Sequence, residues 1–540
     1  MAKYKEKTME VVFLVAACVS ILAVALICIF LFANGVPAMK EIGFADFLLG
    51  REWRPGNDIY GIFPMIIGSI YVTAGAIVIG VPIGLLTAVF LARYCPAGIY
   101  KVVKPGVELL AGIPSVVYGF FGMVVIVPFI RNNFGGGNSI LAASILLGMM
   151  ILPTIISQSE ASIHAVPESY YEGSLALGAT HERSVFCAVL PAAKSGILAG
   201  IILGVGRAIG ETMAVIMVAG NQARMPGSIL EGVRTMTANN IEENVQEVIP
   251  ENIDAMNRQS LKDRLLSYRR TPGSLIVMIL VLLAAALTIA ALLFLLVYIL
   301  INGIPYLNAD LFSWEYNSEN VSVVPAMINT VIMAVISLIF AIPFGIGSAI
   351  YLVEYAKKGN KLVKVVRVTA ETLTGIPSIV YGLFGMLFFV TALHWRFSIL
   401  AGACTLAIMV LPVILRTTEE ALMAVPDSFR EGSFGLGAGK LRTIFKIILP
   451  SAVPGILSGV ILSIGRIVGE TAALMYTAGT VAAIPKSLFS SGRTLAVHMY
   501  VLASEGLHVD QAYATAVVLL VLVIVINALS SFLAKKIQKS

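Results

Sequence analysis

Apolar residues run in blocks of about twenty along most of the chain, broken by short polar stretches. About 20 such residues are what a helix needs to cross a bilayer, because unsatisfied backbone groups are too costly in hydrocarbon. The pattern predicts spans over 11–33, 65–92, 112–130, 140–156 and 196–219 in the first half of the chain. It predicts six more over 273–301, 327–353, 371–392, 397–415, 455–478 and 513–533. Pro82 and Pro343 are expected to kink the second span of each half. The expected fold is all-α, a polytopic transmembrane helix bundle of about eleven spans.

The two sets of spans are copies at an offset of about 260 residues. Gly112-Ile113-Pro114-Ser115-Val116-Val117-Tyr118-Gly119 returns as Gly375-Ile376-Pro377-Ser378-Ile379-Val380-Tyr381-Gly382, and Gly206-Arg207-Ala208-Ile209-Gly210-Glu211-Thr212 returns as Gly465-Arg466-Ile467-Val468-Gly469-Glu470-Thr471. Composition alone can repeat apolar surface, but not an Arg and a Glu at fixed spacing between the same glycines. The chain therefore reads as a half over 1–239, an acidic then basic linker over 240–272, and a second half over 273–540. Pro226, Ser228, Arg234 and Thr235 match Pro485, Ser487, Arg493 and Thr494, and there the likeness ends. The second half goes on to a sixth span, whereas 220–271 contains no apolar run of spanning length.

Composition fits a membrane protein: hydrophobic residues are 58% and charged residues 13%, and mean hydropathy is +0.91. The first apolar run follows Lys3, Lys5 and Lys7, but it is too long for a secretory signal and reads as an anchor. The net charge of +6 does not point to nucleic acid, since the basic residues flank the spans. Lys101, Lys104, Lys357, Lys358, Lys361, Lys364 and Arg367 put the loops after the second spans in the cytoplasm, together with both termini. Five crossings in the first half leave the chain outside, yet Lys262, Arg264, Arg269 and Arg270 mark the next span as starting inside. A sixth helix lost from the first half, or an irregular crossing within 220–271, would resolve this. The five cysteines and five histidines are scattered, so neither a metal site nor a disulfide framework is expected.

Charges inside spans are the candidate functional residues, because burying one costs about 2.5 to 3.5 kcal/mol even on insertion scales. Arg207 with Glu211 and Arg466 with Glu470 are expected one helical turn apart on a single helix face. A pseudo-two-fold relation between halves would bring both arginines to one pathway, and guanidinium groups suit tetrahedral oxyanions. Ser115 and Ser378, in the Ile-Pro-Ser turns, can donate to a substrate or satisfy backbone freed by proline. Gly437-Ala438-Gly439-Lys440 superficially suggests a phosphate loop, but Phe434 and Leu441 stand where Gly and Ser or Thr are needed, so no nucleotide site is expected. No paired carboxylates, Ser/His set or metal cluster lies within the spans, which disfavours an intramembrane enzyme and any catalytic residue.

The loop after the fourth span reads Glu172-Gly173-Ser174, Gly178, then Leu190-Pro191, and again Glu431-Gly432-Ser433, Gly437, then Leu449-Pro450. Both copies resemble the EAA loop of ABC importer permeases. With the Ile-Pro-Ser turns and the Gly-Arg-x-x-Gly-Glu-Thr segments, almost the whole chain is similar to the permease of the phosphate-specific ABC importer, a type I importer, with its two subunits joined head to tail. The resemblance implies a transport component of the bacterial cytoplasmic (inner) membrane without cofactor of its own. It implies partners: two copies of a cytoplasmic ABC ATPase that uses ATP, and a periplasmic or extracellular phosphate-binding protein. It implies Arg207, Glu211, Arg466 and Glu470 for the path of phosphate, and Glu172, Gly173, Gly178, Glu431, Gly432 and Gly437 for ATPase contact. The residues leave open an importer of another oxyanion, such as sulfate or molybdate, or a non-transporting sensor if the missing helix disables transport.

Overall fold

Ser139 and Ser398 each start the most buried helix of a half. Their hydroxyls accept from the backbone N–H of Ala142 and Ala401, both at 3.2 Å, and cap the helices Ile140–His164 and Ile399–Met423. Up to Ile156 and Leu415 these fourth spans are apolar on nearly every side, as befits a helix surrounded by others. Against them lie the second spans, Phe63–Val89 and Val324–Ile350, which run through Pro82 and Pro343 without interruption. Small residues allow the approach: a Cβ on Gly80 would sit 2.9 Å from the carbonyl oxygen of Gly148, and the Ser337 hydroxyl donates to the carbonyl of Ala403 at 3.0 Å. Each second span ends in a π turn, Phe90–Tyr94 or Tyr351–Tyr355.

The computed structural model describes residues 2–236, 272–357, 360–374 and 376–538. Among these, nine helices are long and apolar enough to cross a membrane, and a pair bent by 74°, His181–Ala192 with Lys194–Gly210, counts as a tenth. Ser378–Ala392 is a shorter apolar helix. These match the eleven segments expected from the apolar pattern. Several expected boundaries shift, two of them at a proline. The third spans begin at Ser115 and Ser378 rather than at 112 and 371, because Pro114 (ψ 140°) and Pro377 (ψ 138°) are extended and separate them from Ala97–Ala111 and Lys361–Thr374. The acidic and basic linker, and with it the question of a lost sixth helix, lies outside the described residues.

Two compact units do not follow the linear halves: one comprises 1–47 with 302–540, the other 48–301. The first helix, Ala2–Ile42, thus belongs with the second half. Phe13 and Ala17 pack with Ala349, Ile350 and Val366, the hydroxyls of Ser20 and Ser348 are 3.1 Å apart, and Phe30 meets Phe388 edge to face at 5.1 Å. In the other unit, Pro272–Gly303 serves the first half: the Thr288 and Thr87 hydroxyls are 3.0 Å apart, and Phe294 meets Phe121 at 5.7 Å. Each half lends its first span to the other. The sixth span of the second half, Val509–Gln538, packs where Gly303 leaves no room for a side chain, a Cβ there falling 2.6 Å from the Tyr513 carbonyl oxygen.

A chain with its five native cysteines replaced by serine and carrying Ser20→Cys with Ser348→Cys should cross-link rapidly under mild oxidant, because the two side-chain tips already touch. Cleavage in the linker followed by non-reducing electrophoresis reads the result. Fragments that separate would contradict the exchange.

Candidate functional site

The fifth span of each half is broken at its glutamate. The helix Lys194–Gly210 stops, Glu211 is extended (φ −72°, ψ 126°), and a second helix runs from Met213 to Ala219. In the second half Leu449–Gly469 stops, Glu470 is extended (φ −73°, ψ 130°), and Ala472–Thr477 follows. The expectation of one continuous helix with Arg and Glu a turn apart on the same face is therefore corrected. A helix start leaves backbone N–H groups without intrahelical partners, and these glutamates supply acceptors. Glu470 Oε1 accepts from Thr471 N at 3.1 Å and Ala473 N at 3.0 Å, and Glu211 Oε1 accepts from Ala214 N at 3.2 Å. The carboxylates also sit at the positive end of the short helix, which stabilises their charge.

The Ile-Pro-Ser turns pack against these breaks. Pro377 directs the chain so that Ser378 opens the third span, and its hydroxyl is hydrogen-bonded to Glu470. Four residues on, Gly382 touches the short helix so closely that a Cβ would lie 2.8 Å from the Ala473 Cα. In the first half Ser115 opens the third span in the same way, and a Cβ on Gly119 would lie 2.8 Å from the Ala214 Cα. The two repeated signatures are thus one structure in each unit: glycine admits the short helix, and glutamate ends the helix before it. Tyr118, in the first turn, is wholly buried and donates to the Leu110 carbonyl at 3.1 Å.

The arginines stand one turn before the breaks. Arg207 donates from Nη1 to the Thr154 hydroxyl of the fourth span at 3.2 Å, a partner the sequence reading missed. Arg207 and Arg466 are half-buried, whereas Glu470 is buried. A partly accessible guanidinium such as that of Arg207, steadied through one terminal nitrogen, is a group of the kind that binds anions. Beyond the short helices the chain folds back on them, with Val233 N donating to Ala219 O at 3.0 Å and Gly492 N to Ala478 O at 3.2 Å. The repeat in the outer loop is therefore structural as well as sequential up to Thr235 and Thr494.

The loops after the fourth spans form short helices, Glu168–Ala176 and Asp427–Gly435. Glu172 and Gly173, and Glu431 and Gly432, lie on them, with open space where a Cβ of either glycine would project. Gly178 (φ +83°) and Gly437 (φ +78°) are left-handed helix ends. Ala179 N donates to Ser174 O at 3.2 Å and Gly178 N to Leu175 O at 2.8 Å, and Ala438 and Gly437 repeat both bonds with Ser433 and Phe434. This is a Schellman ending, for which glycine is the low-cost residue. Just before it, Leu177 and Leu436 are each 91% exposed. They were not singled out from the sequence, although the repeated Leu-Gly-Ala at 177–179 and 436–438 carried the signal.

The family described as "Binding-protein-dependent transport system inner membrane component" matches the chain twice, over residues 80–304 and 341–540. A protein of Bacillus subtilis, "Probable ABC transporter permease protein YqgH", is 40% identical over 42% of this chain and 75% of its own length. Another from the same organism, "Probable ABC transporter permease protein YqgI", is 34% identical over 48% of this chain and 93% of its own. The "Phosphate transport system permease protein PstA homolog" of Mycoplasma pneumoniae is 26% identical over 91% of this chain and 89% of its own, so it too carries both halves.

Placing alanine at Gly437 should strain the helix ending by about 1–2 kcal/mol, since a Cβ opposes the left-handed backbone. Alanine at Gly435, whose Cβ meets nothing, should not. Limited proteolysis of the loop is the measurement: Gly437→Ala is expected to be cut faster than the parent and Gly435→Ala at the parental rate, and equal rates would show that the ending is not needed.

Proposed function

Because the chain belongs to the family of binding-protein-dependent transport system inner membrane components, we propose that it is the transmembrane permease component of an ATP-driven importer of inorganic phosphate. Both permease subunits are carried in one multi-pass inner-membrane chain. The observation that supports this most is the broken fifth span in each unit, where an arginine precedes a capping glutamate packed against an Ile-Pro-Ser turn. Arg207 and Arg466 donate forked hydrogen bonds to the oxyanion, which favours a tetrahedral, multiply charged substrate. Glu211 and Glu470 hold the breaks open and temper the positive field, so that an anion is bound weakly enough to leave. Ser115 and Ser378 fix the turn that seats the carboxylate. The full-length likeness to a relative named for phosphate transport supports phosphate among oxyanions.

The energy comes from outside the chain. Two copies of a cytoplasmic ATPase dock on Glu168–Ala176 and Asp427–Gly435, burying Leu177 and Leu436, whose exposure on short polar helices calls for an apolar cover. Glu172, Gly173, Glu431 and Gly432 line the face that admits the partner backbone. A binding protein on the other side of the membrane delivers phosphate.

Uptake of labelled phosphate by cells carrying the full system tests this reading. Arg466→Gln should lower uptake at least about tenfold, equivalent to about 1.4 kcal/mol or more of lost stabilisation, at unchanged membrane levels. Parental uptake in this variant would remove the arginine from the path. Excess unlabelled sulfate should leave phosphate uptake intact, and strong competition would shift the substrate to another oxyanion. In the purified complex, Leu177→Asp with Leu436→Asp should release the ATPase, and its retention would place docking elsewhere.

A further inference from the structure

Each docking helix is tied by an ion pair to the end of its own second span, and the two ties have opposite polarity. In one unit Arg93, fourth residue of the π turn Phe90–Tyr94, binds Glu168 at 3.1 Å, and its guanidinium lies over the Tyr171 ring at 5.5 Å. In the other unit Glu354, fourth residue of Tyr351–Tyr355, accepts from Arg430 Nη2 at 2.9 Å and Nε at 3.0 Å. Arg430 also binds Asp427 at 3.1 Å and donates to the carbonyls of Val425 and Leu422. Glu168 and Asp427 are the first residues of their helices, and Tyr171 and Arg430 lie three further on. The arginine has moved from the span to the docking helix, and a glutamate has taken its place on the span.

A nearby pair shows that inversion is not required by the fold. Lys104 binds Glu160 at 2.9 Å and Arg367 binds Glu419 at 2.6 Å, with the base before and the acid after in both units. The span-end members of the inverted ties are well buried, Arg93 at 4% and Glu354 at 7% side-chain exposure. A charge removed from water to that extent holds its partner tightly, and a like charge facing it is strongly unfavourable.

We propose that Arg93 with Glu168, and Glu354 with Arg430, are positioning pairs that pass displacement of each docking helix to the second span of its own half, and that their opposite polarity makes each tie private to that half. This rests on the importer reading above. A docking helix of the second type set against Arg93 would bring Arg430 to it as well as Asp427, so two guanidinium groups would share one carboxylate that Arg430 already binds, and the two homologous loops exchange seats only at a cost. The ties act through the docking helices and touch no substrate.

The test converts one tie into the other in the full chain. Tyr171→Arg alone adds a guanidinium opposite Arg93 while removing no charged group, and Arg93→Glu alone places two acids together. The double variant Arg93→Glu with Tyr171→Arg recreates the second half's arrangement, and Glu354→Arg with Arg430→Tyr the first half's. Two readouts are taken: uptake of labelled phosphate, and the mobility of a spin label at Ser169→Cys in a chain whose native cysteines are serine. Each single variant should lose at least about tenfold in uptake and loosen the label, and Arg93→Glu with Tyr171→Arg should restore both to near parental values. Single variants that keep parental mobility and uptake, or a double variant that recovers neither, would overturn the proposal. Should the parent chain fail to move phosphate, the importer reading falls, while the label still decides whether the tie holds the helix. Rescue by the double variant also separates positioning from simple loss of folding, because two changes that each disturbed the fold independently would add to one another rather than cancel.

Discussion

A helix interrupted within an apolar bundle must find partners for the backbone groups it frees, and water is not at hand to supply them. Here the partner is a carboxylate. Glu470 takes two N–H groups at the start of Ala472–Thr477, and Glu211 takes one at the start of Met213–Ala219. The geometry around each break depends on that cap. It fixes where the fifth span ends, hence where the preceding arginine stands, and it needs Gly119 and Gly382 so that the short helix can lie against the third span. The repeated Gly-Glu-Thr and Val-Tyr-Gly are one contact written in two places in the sequence.

The same economy appears at the short helices Glu168–Ala176 and Asp427–Gly435. A Schellman ending at Gly178 or Gly437 stops each helix in a turn and leaves the preceding leucine projecting. The helix is anchored at its other end by charge, to Arg93 in one unit and to Glu354 in the other. Each short helix is thus held at both ends, with an apolar side chain left uncovered at its C-terminal end. The exchange of first spans, with Ser20 on Ser348 and Thr288 on Thr87, means that each half is completed by a helix from the other. Joining the halves in one chain secures that exchange covalently.

Much of this was legible in the residues. Spans follow from apolar length, and the charged positions stood out because arginine and glutamate are expensive in hydrocarbon. The break between Arg207 and Glu211 was not legible, since Arg and Glu four apart read as one helix turn and an isolated glycine is tolerated inside a helix. What interrupts it is tertiary: a serine turn and a glycine about ninety residues earlier in the chain. The exchange of first helices was hidden for a different reason. Apolar periodicity says that a face is covered, not by which helix. Leu177 and Leu436 escaped notice because one more leucine in a chain that is 58% hydrophobic carries no weight until its exposure is known.

A tetrahedral oxyanion is expected to bind at the arginines beside the two capped breaks. The most direct measurement is an anomalous-difference map at the arsenic edge from the intact transporter soaked with arsenate, a tetrahedral analogue of phosphate. The account predicts a peak within about 4 Å of the guanidinium of Arg207 or Arg466, the reach of a direct hydrogen bond to an arsenate oxygen. A peak elsewhere in the membrane region, with both guanidinium groups bound only to protein, would contradict it.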